Sequence, residues 1–231
     1  MRLAQGAENA TDELFAGIDA LDATGGRQFE VCLLSPREPL FRKGDSGGMY
    51  YQVLKGVVSS YRLLHNGRRQ VLSFGFPGDL VGIGHEYGCR CDCEAVSAAK
   101  LRCIPAGSLR RLLHARPDLA HRMLAAARSE LAGIYGHFVI AGRKSAMEKL
   151  ASFLLTLARR HGNGDGTSTT VGLPMSRSDI ADFLGLTTET VSRQFTALRK
   201  LGVIDLPRTT MVHVRDMLRL EELAESTGAT W

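Results

Sequence analysis

No stretch of this 231-residue chain approaches the ~18 consecutive apolar residues that cross a bilayer, so no membrane is expected among its partners. The opening, MRLAQGAENATDELF, lacks the basic n-region and apolar h-region of a secretory signal, and a cytoplasmic protein is expected. No cysteine precedes Cys32, and the five present are an odd number. In a reducing compartment they are expected to act as buried thiols, ligands or sensors rather than as a disulfide framework. Strong charge bias is also missing: 29 Lys and Arg against 24 Asp and Glu leave +5, which permits a nucleic-acid partner without requiring one. What is present, 44% hydrophobic and 23% charged residues, excludes a disordered or fibrous chain. At roughly 100 to 200 residues per domain, the length fits one large domain or two small ones.

Residues 28 to 104 break into short β-forming pieces such as MYYQVLKG, GVVSSYRLL and RRQVLSFGF. Turn signals recur between them at Lys43-Gly44-Asp45, His65-Asn66-Gly67 and Pro77-Gly78-Asp79, and Asn-Gly is the strongest short hairpin signal. An antiparallel β-roll or barrel follows. From Pro117 the period changes, because Ala120, Leu124, Ala127, Leu131, Ile134, Phe138 and Ala141 alternate four and three residues apart. That is the a/d seam of a two-helix coil, and it predicts a homodimer with Leu124, Ala127, Leu131, Ile134 and Phe138 at the interface. An amphipathic helix lying on its own domain is the alternative; Met123 beside Leu124 widens the stripe enough to serve both. Ser145 and Glu148 then have capping-box spacing for a new helix, which places the interdomain hinge just before it.

The tail, SRSDIADFLGLTTETVSRQFTALRKLG over residues 176–202, carries the strongest signal. Ser176 caps a helix ending at Leu184, Gly185 breaks it, and Thr187 caps a second helix running toward Gly202. Two short helices joined by a tight glycine turn are a helix-turn-helix. Ile180, Leu184, Leu186 and Val191 fall where the helices meet; Gln194 is a misfit at an aliphatic position, with Phe195 beside it able to fill the gap. Thr188, Glu189, Ser192 and Arg193 lie in the first turns of the second helix, the part of a recognition helix that reaches base edges. Arg193 suits guanine O6 and N7, Glu189 the cytosine amino group, and Ser192 either role. Arg199 and Lys200 at the far end suit phosphates. Two short strands, around Val203-Ile204-Asp205 and Met211-Val212-His213-Val214 with a Pro207-Arg208-Thr209-Thr210 turn, predict a wing.

Taken together, SRSDIADFLGLTTETVSR, AMEKLASFLLTLARR, FRKGD, LKGVVSSY and PGDLVG resemble the CRP/FNR family of bacterial transcription regulators over almost the whole chain. The resemblance implies an α+β architecture: a cyclic-nucleotide-binding-like β-roll, a long dimerisation helix and a C-terminal winged helix-turn-helix. It places an N-terminal arm at 1–27, the roll at 28–116, the dimerisation helix at 117–144 and the DNA-binding domain at 145–231. The trio Glu189, Ser192 and Arg193 is similar to that of the FNR and FixK branches, which read TTGAT-N4-ATCAA palindromes in double-stranded DNA. Ser176, Arg177, Thr187, Thr188, Arg199 and Lys200 are the accompanying DNA-contact candidates. The family further implies a contact with RNA polymerase, for which the loop at Arg68-Arg69-Gln70 is a candidate, and a role as activator in oxygen-limited, redox or nitrogen-oxide metabolism.

Two sensor chemistries of the family find no matching residues. Where cyclic-AMP-binding members carry Gly-Glu-Leu and then Arg-Ser, this chain has Gly82-Ile83-Gly84 and Cys89-Arg90, so the ribose carboxylate and the phosphate-pairing arginine are missing and cyclic AMP is not expected. An FNR-type [4Fe-4S] cluster lacks its N-terminal ligands, and Cys103 sits one position from the family's internal cysteine, facing the other side of a strand. This places the chain nearer the FixK group, with no cofactor expected. Cys89, Cys91 and Cys93 remain as a run whose thiols would share one face of an extended strand. It is read as a structural loop, with redox sensing, or metal, Fe–S or heme binding assisted by His85, as alternatives. Two rival functions remain: a small-molecule-, heme- or metal-gated regulator of the same fold, differing in the effector alone, and a thiol or metal enzyme, which no paired catalytic base supports.

Overall fold

The computed structural model describes residues 29–85, 88–121, 123–124, 127–128, 144–164 and 167–225. Of the expected seam, Leu131, Ile134 and Phe138 lie outside the described residues. The chain divides into two compact units, with the division between residues 130 and 131.

The first unit holds strands β1 (Val31–Leu34), β2 (Pro39–Phe41), β3 (Met49–Lys55), β4 (Val58–Leu63), β5 (Arg69–Gly75), β6 (Leu80–Val81), β7 (Asp92–Ala95) and β8 (Ala99–Pro105), then helix α1 (Ala106–Ala115). They form two antiparallel sheets, ordered β1-β8-β3-β6 and β2-β7-β4-β5. Alternation along β3 shows how one strand serves two cores. Val53 and the neighbouring Tyr51 face a cluster with Phe41, Val58, Cys91, Cys93, Ala95 and Leu101, whereas Tyr50 turns to the other side and packs with Ile104, Leu109, Leu112 and Leu119. Thus α1 covers the back of the first sheet. The β4–β5 hairpin turns at Asn66-Gly67, as the sequence predicts: Gly67 takes φ +77°, and the Asn66 side-chain oxygen accepts from the Arg68 N–H at 3.0 Å. A further helical stretch begins at Pro117. In it Met123 packs on the α1 cluster, while Leu124 is 59% exposed and Ala127 is half-buried.

The second unit contains helix α2 (Ala146–His161), strands β9 (Asn163–Gly164) and β10 (Thr169–Gly172), helices α3 (Arg177–Leu184) and α4 (Thr188–Lys200), strands β11 (Ile204–Arg208) and β12 (Met211–Val214), and helix α5 (Met217–Glu225). The capping box expected at Ser145 and Glu148 is present, with the Ser145 N–H donating to Glu148 Oε2 at 2.6 Å. Lys144 anchors the start of this unit by donating to Ser152 Oγ at 2.8 Å and to the Ala224 carbonyl at 2.7 Å. The wing is larger than the two expected strands: β9 and β10 extend it to a four-stranded sheet ordered β11-β12-β10-β9. β11 also runs on to Arg208 through a bulge between Asp205 and Arg208, which leaves Thr209 and Thr210 as the tight turn. A proline lacks the ladder donor, and the bulge accommodates Pro207 at that point.

Candidate nucleic-acid interface

Helix α3 starts because Ser176 and Asp179 satisfy each other's backbone donors. The Ser176 hydroxyl accepts from Asp179 N–H at 3.1 Å, and Asp179 Oδ2 accepts from Ser176 N–H at 3.0 Å. It stops at Gly185, whose φ of +66° is a left-handed conformation that a side chain would strain. Thr187 then caps α4 by accepting from Thr190 N–H at 3.2 Å. Ile180, Ala181, Leu184 and Val191 are buried at the crossing, with Leu186 half-buried beside them. The expected misfit resolves as anticipated: Phe195 fills the core at 2% exposure and Gln194 is only half-buried.

With its apolar side fixed in this way, α4 presents the other side to solvent. The Glu189 and Arg193 side chains are 78% and 68% exposed and lie 3.4 Å apart, one helical turn from each other. Water weakens such an exposed pair, so both groups are available to a ligand at little cost. Ser192 and Thr196 are exposed and return their hydroxyls to carbonyls one turn back, at 2.8 and 3.1 Å. Glu189, Ser192, Arg193, Thr196, Ala197 and Lys200 line one shallow depression. Thr196 and Ala197 were not among the sequence candidates, although the three- and four-residue spacing from Ser192 and Arg193 already put them on that face. Thr187, Thr188 and Arg199 are exposed on the same helix and its cap.

Arg177 sits differently. Its guanidinium carbon stacks 3.4 Å from the centroid of the Phe195 ring, and burial pulls its pKa below the ordinary arginine value. It is as much a packing element between α3 and α4 as a surface cation.

In the first unit, the cysteine run is more deeply enclosed than a solvated loop would be. Only Cys93 belongs to a strand, yet Cys91 and Cys93 are both buried in the core and Cys89 packs against it. Burial pushes all three thiols up, Cys93 to about 12; Asp92 adds to the rise at Cys91. Thiolate chemistry at neutral pH is therefore disfavoured along the run. His85 Nε2 lies 3.8 Å from Cys91 Sγ, and its ring meets Phe41 edge-on. Among the described residues, no three His, Cys, Asp or Glu side chains are arranged to hold a metal ion.

A cavity of about 320 Å³ opens beside these residues, lined by Leu40, Phe41, Asp45, Ser46, Gly47, Met49, Tyr51, His85 and Cys89. An anionic cyclic phosphate entering it would face the Asp45 carboxylate and no Lys or Arg from that lining. Ile83 is 39% exposed and Arg90 also points to solvent. These residues do not fit a cyclic nucleotide. Titration with cyclic AMP or cyclic GMP is accordingly expected to leave DNA affinity within about tenfold of its starting value; a larger gain, a coupling beyond about 1.4 kcal/mol, would overturn this reading of the pocket.

A two-sheet roll followed by a capped helix-turn-helix with a wing defines a DNA-binding regulator built on a cyclic-nucleotide-binding type of domain. The cyclic nucleotide-binding domain model matches residues 32–116, and the Crp-like helix-turn-helix domain model matches residues 148–223. The chain is 39% identical over 209 residues to the nitrogen fixation regulation protein FixK of Bradyrhizobium diazoefficiens, covering 89% of this chain and 88% of that one. It is 38% identical over 192 residues to the transcriptional activatory protein AadR of Rhodopseudomonas palustris, covering 82% and 79%. The solved structure of FixK2 from Bradyrhizobium japonicum superposes with a TM-score of 0.79 at 32% identity, covering 87% of this chain and all of that one. The chain belongs to the CRP/FNR family of transcription regulators and is FixK-like within it. It is a helix-turn-helix regulator and not an enzyme.

Proposed function

We propose that the protein binds a TTGAT-N4-ATCAA-type palindrome as a homodimer and activates transcription under oxygen-limited, redox or nitrogen-oxide control. The observation that carries this is the exposed trio on the first turns of α4, held in place by the Thr187 cap and the buried Val191–Phe195–Leu198 side. Arg193 donates two hydrogen bonds to guanine O6 and N7, Glu189 accepts from a cytosine amino group, and Ser192 completes the set. Ser176, Arg177, Thr187, Thr188, Arg199 and Lys200 hold the backbone. Two such helices reach successive major grooves only from a dimer. The four-three stripe of residues 117–144 supplies the seam, through Leu124, Ala127, Leu131, Ile134 and Phe138, between a roll at 28–116 and a DNA-binding domain at 145–231. The exposure of Leu124 in the single chain supports that seam. Polymerase contact is the remaining step, made from loops of the roll in the cytoplasm, with no cofactor required. The names of the relatives, a nitrogen fixation regulator and a transcriptional activator, favour activation.

Selection of bound sites from random DNA tests the palindrome directly, with enrichment of a two-fold TTGAT site expected; an unrelated or asymmetric site would overturn the reading. Replacing Lys200 with Ala is expected to weaken binding to all sequences alike. It should also reduce the slope of log affinity against log salt by about one, the loss of a single phosphate contact. A sequence-selective loss would move Lys200 from the backbone to the bases.

A further inference from the structure

Cys91 and Cys93 are buried in the core cluster around Val53 and Leu101, Cys93 at 1% exposure, and half-buried Cys89 and Cys32 pack against it. Cys32 and Cys103, distant in sequence, meet across the β1–β8 ladder. Cys32 is opposite Leu101 and Val31 is opposite Arg102, while the Cys103 N–H donates to the Glu30 carbonyl at 2.8 Å. Cys103 therefore stands two residues beyond the partner of Cys32, on the same face, as its diagonal neighbour. Neither is in a disulfide, and both are half-buried. Burial first, and the neighbouring Cys32 second, push the Cys103 thiol up to about 12.

Diagonal neighbours on an antiparallel pair are roughly 7–8 Å apart at Cα, somewhat beyond the usual limit of about 6.8 Å for a disulfide. Closing the bond thus needs β1 to slide slightly against β8. The strand is suited to that movement: it has four residues, ends its sheet in the described structure, and leaves Val31 and Leu33 at 43% and 72% exposure. A bond formed with such strain is more readily reduced than a structural one.

We infer that Cys32 and Cys103 are a reversible dithiol–disulfide modification site, oxidised by peroxide and distinct from the Cys89–Cys93 run. The Cys32 sulfur attacks one peroxide oxygen, the O–O bond breaks, and the products are a Cys32 sulfenic acid and one water. Cys103, whose thiol burial pushes up, acts second. Its sulfur attacks the sulfenic sulfur, the S–S bond forms, the S–O bond breaks, and the hydroxide leaves with the Cys103 proton as a second water. Two thiols lose two electrons and one hydrogen peroxide gains them. Because β8 runs directly into α1, the modification acts on the strand that feeds this helix.

The test treats the full-length native protein with hydrogen peroxide at a few equivalents, blocks the remaining thiols with an alkylating agent, and maps digested peptides by mass without reductant. Two of the five thiols should disappear, one linked peptide should join Cys32 to Cys103, and dithiothreitol should restore both. In Cys32→Ser and in Cys103→Ser, that linked peptide and the reductant-reversible loss of two thiols should both vanish. A disulfide formed mainly within Cys89, Cys91 and Cys93, a linkage between two copies of the chain, or retention of all five thiols would each overturn the assignment.

Discussion

Arg193→Ala should lower affinity for a TTGAT-type palindrome by about 1–3 kcal/mol, roughly five- to 150-fold, while binding to scrambled DNA changes far less. The argument rests on placement. Arg193 is 68% exposed on the face of α4 opposite the buried Val191, Phe195 and Leu198, and it pairs with the still more exposed Glu189 at 3.4 Å. Truncation removes a two-pronged donor without opening a cavity, so stability should hardly move. Discrimination at the guanine should relax in a competition assay with single-base variants of the site. Equal losses on specific and scrambled DNA would instead make Arg193 a phosphate contact.

Phe195→Ala should be the most damaging single substitution in the helix-turn-helix, costing about 3–5 kcal/mol of stability, the range for removing a buried aromatic ring. The ring is 2% exposed and carries the Arg177 guanidinium at 3.4 Å, so truncation leaves a cavity and also strands a half-buried cation. Urea unfolding of the full chain should show the second unit melting at a much lower midpoint, and DNA binding should fail together with it. Phe195→Leu keeps most of the volume and should recover much of the stability but not the stacked arginine. A wild-type midpoint in Phe195→Ala would mean that Gln194 and its neighbours close the gap.

The DNA-reading half was legible because its signals are local. Ser176 with Asp179, Gly185, and Thr187 with Thr190 each act within one helical turn, and a cap forms from backbone geometry that the neighbouring residues already dictate. Period then assigned the faces, so the exposure of Glu189, Ser192 and Arg193 followed from the burial of Val191 and Phe195. The double duty of Phe195, packed in the core and stacked under Arg177, was not legible. It depends on how closely α3 and α4 cross, and Arg177 in the sequence is simply one more cation beside a helix cap. The extra wing strands β9 and β10 escaped for a similar reason: two and four residues around glycines carry too little alternation to register as strands.

By itself, the sequence determined the order of the parts: a Gly-punctuated β-roll, a four-three helical stripe, a capped helix-turn-helix and a wing. At the positions of the family's clamp the sequence has Ile83 and Cys89, which supply neither a carboxylate nor a guanidinium, so no cyclic nucleotide is expected. Only the tertiary structure decided the fate of the cysteines. Spacing made Cys89, Cys91 and Cys93 the conspicuous group, but Cys91 and Cys93 are buried, Cys89 packs against them and burial raises all three pKa values, while the β1–β8 register brings Cys32 beside Cys103. Local propensity and period act over a few residues and can be read directly from the chain. Strand register, and the burial and reactivity that follow from it, arises from pairing between distant segments, which no local pattern specifies.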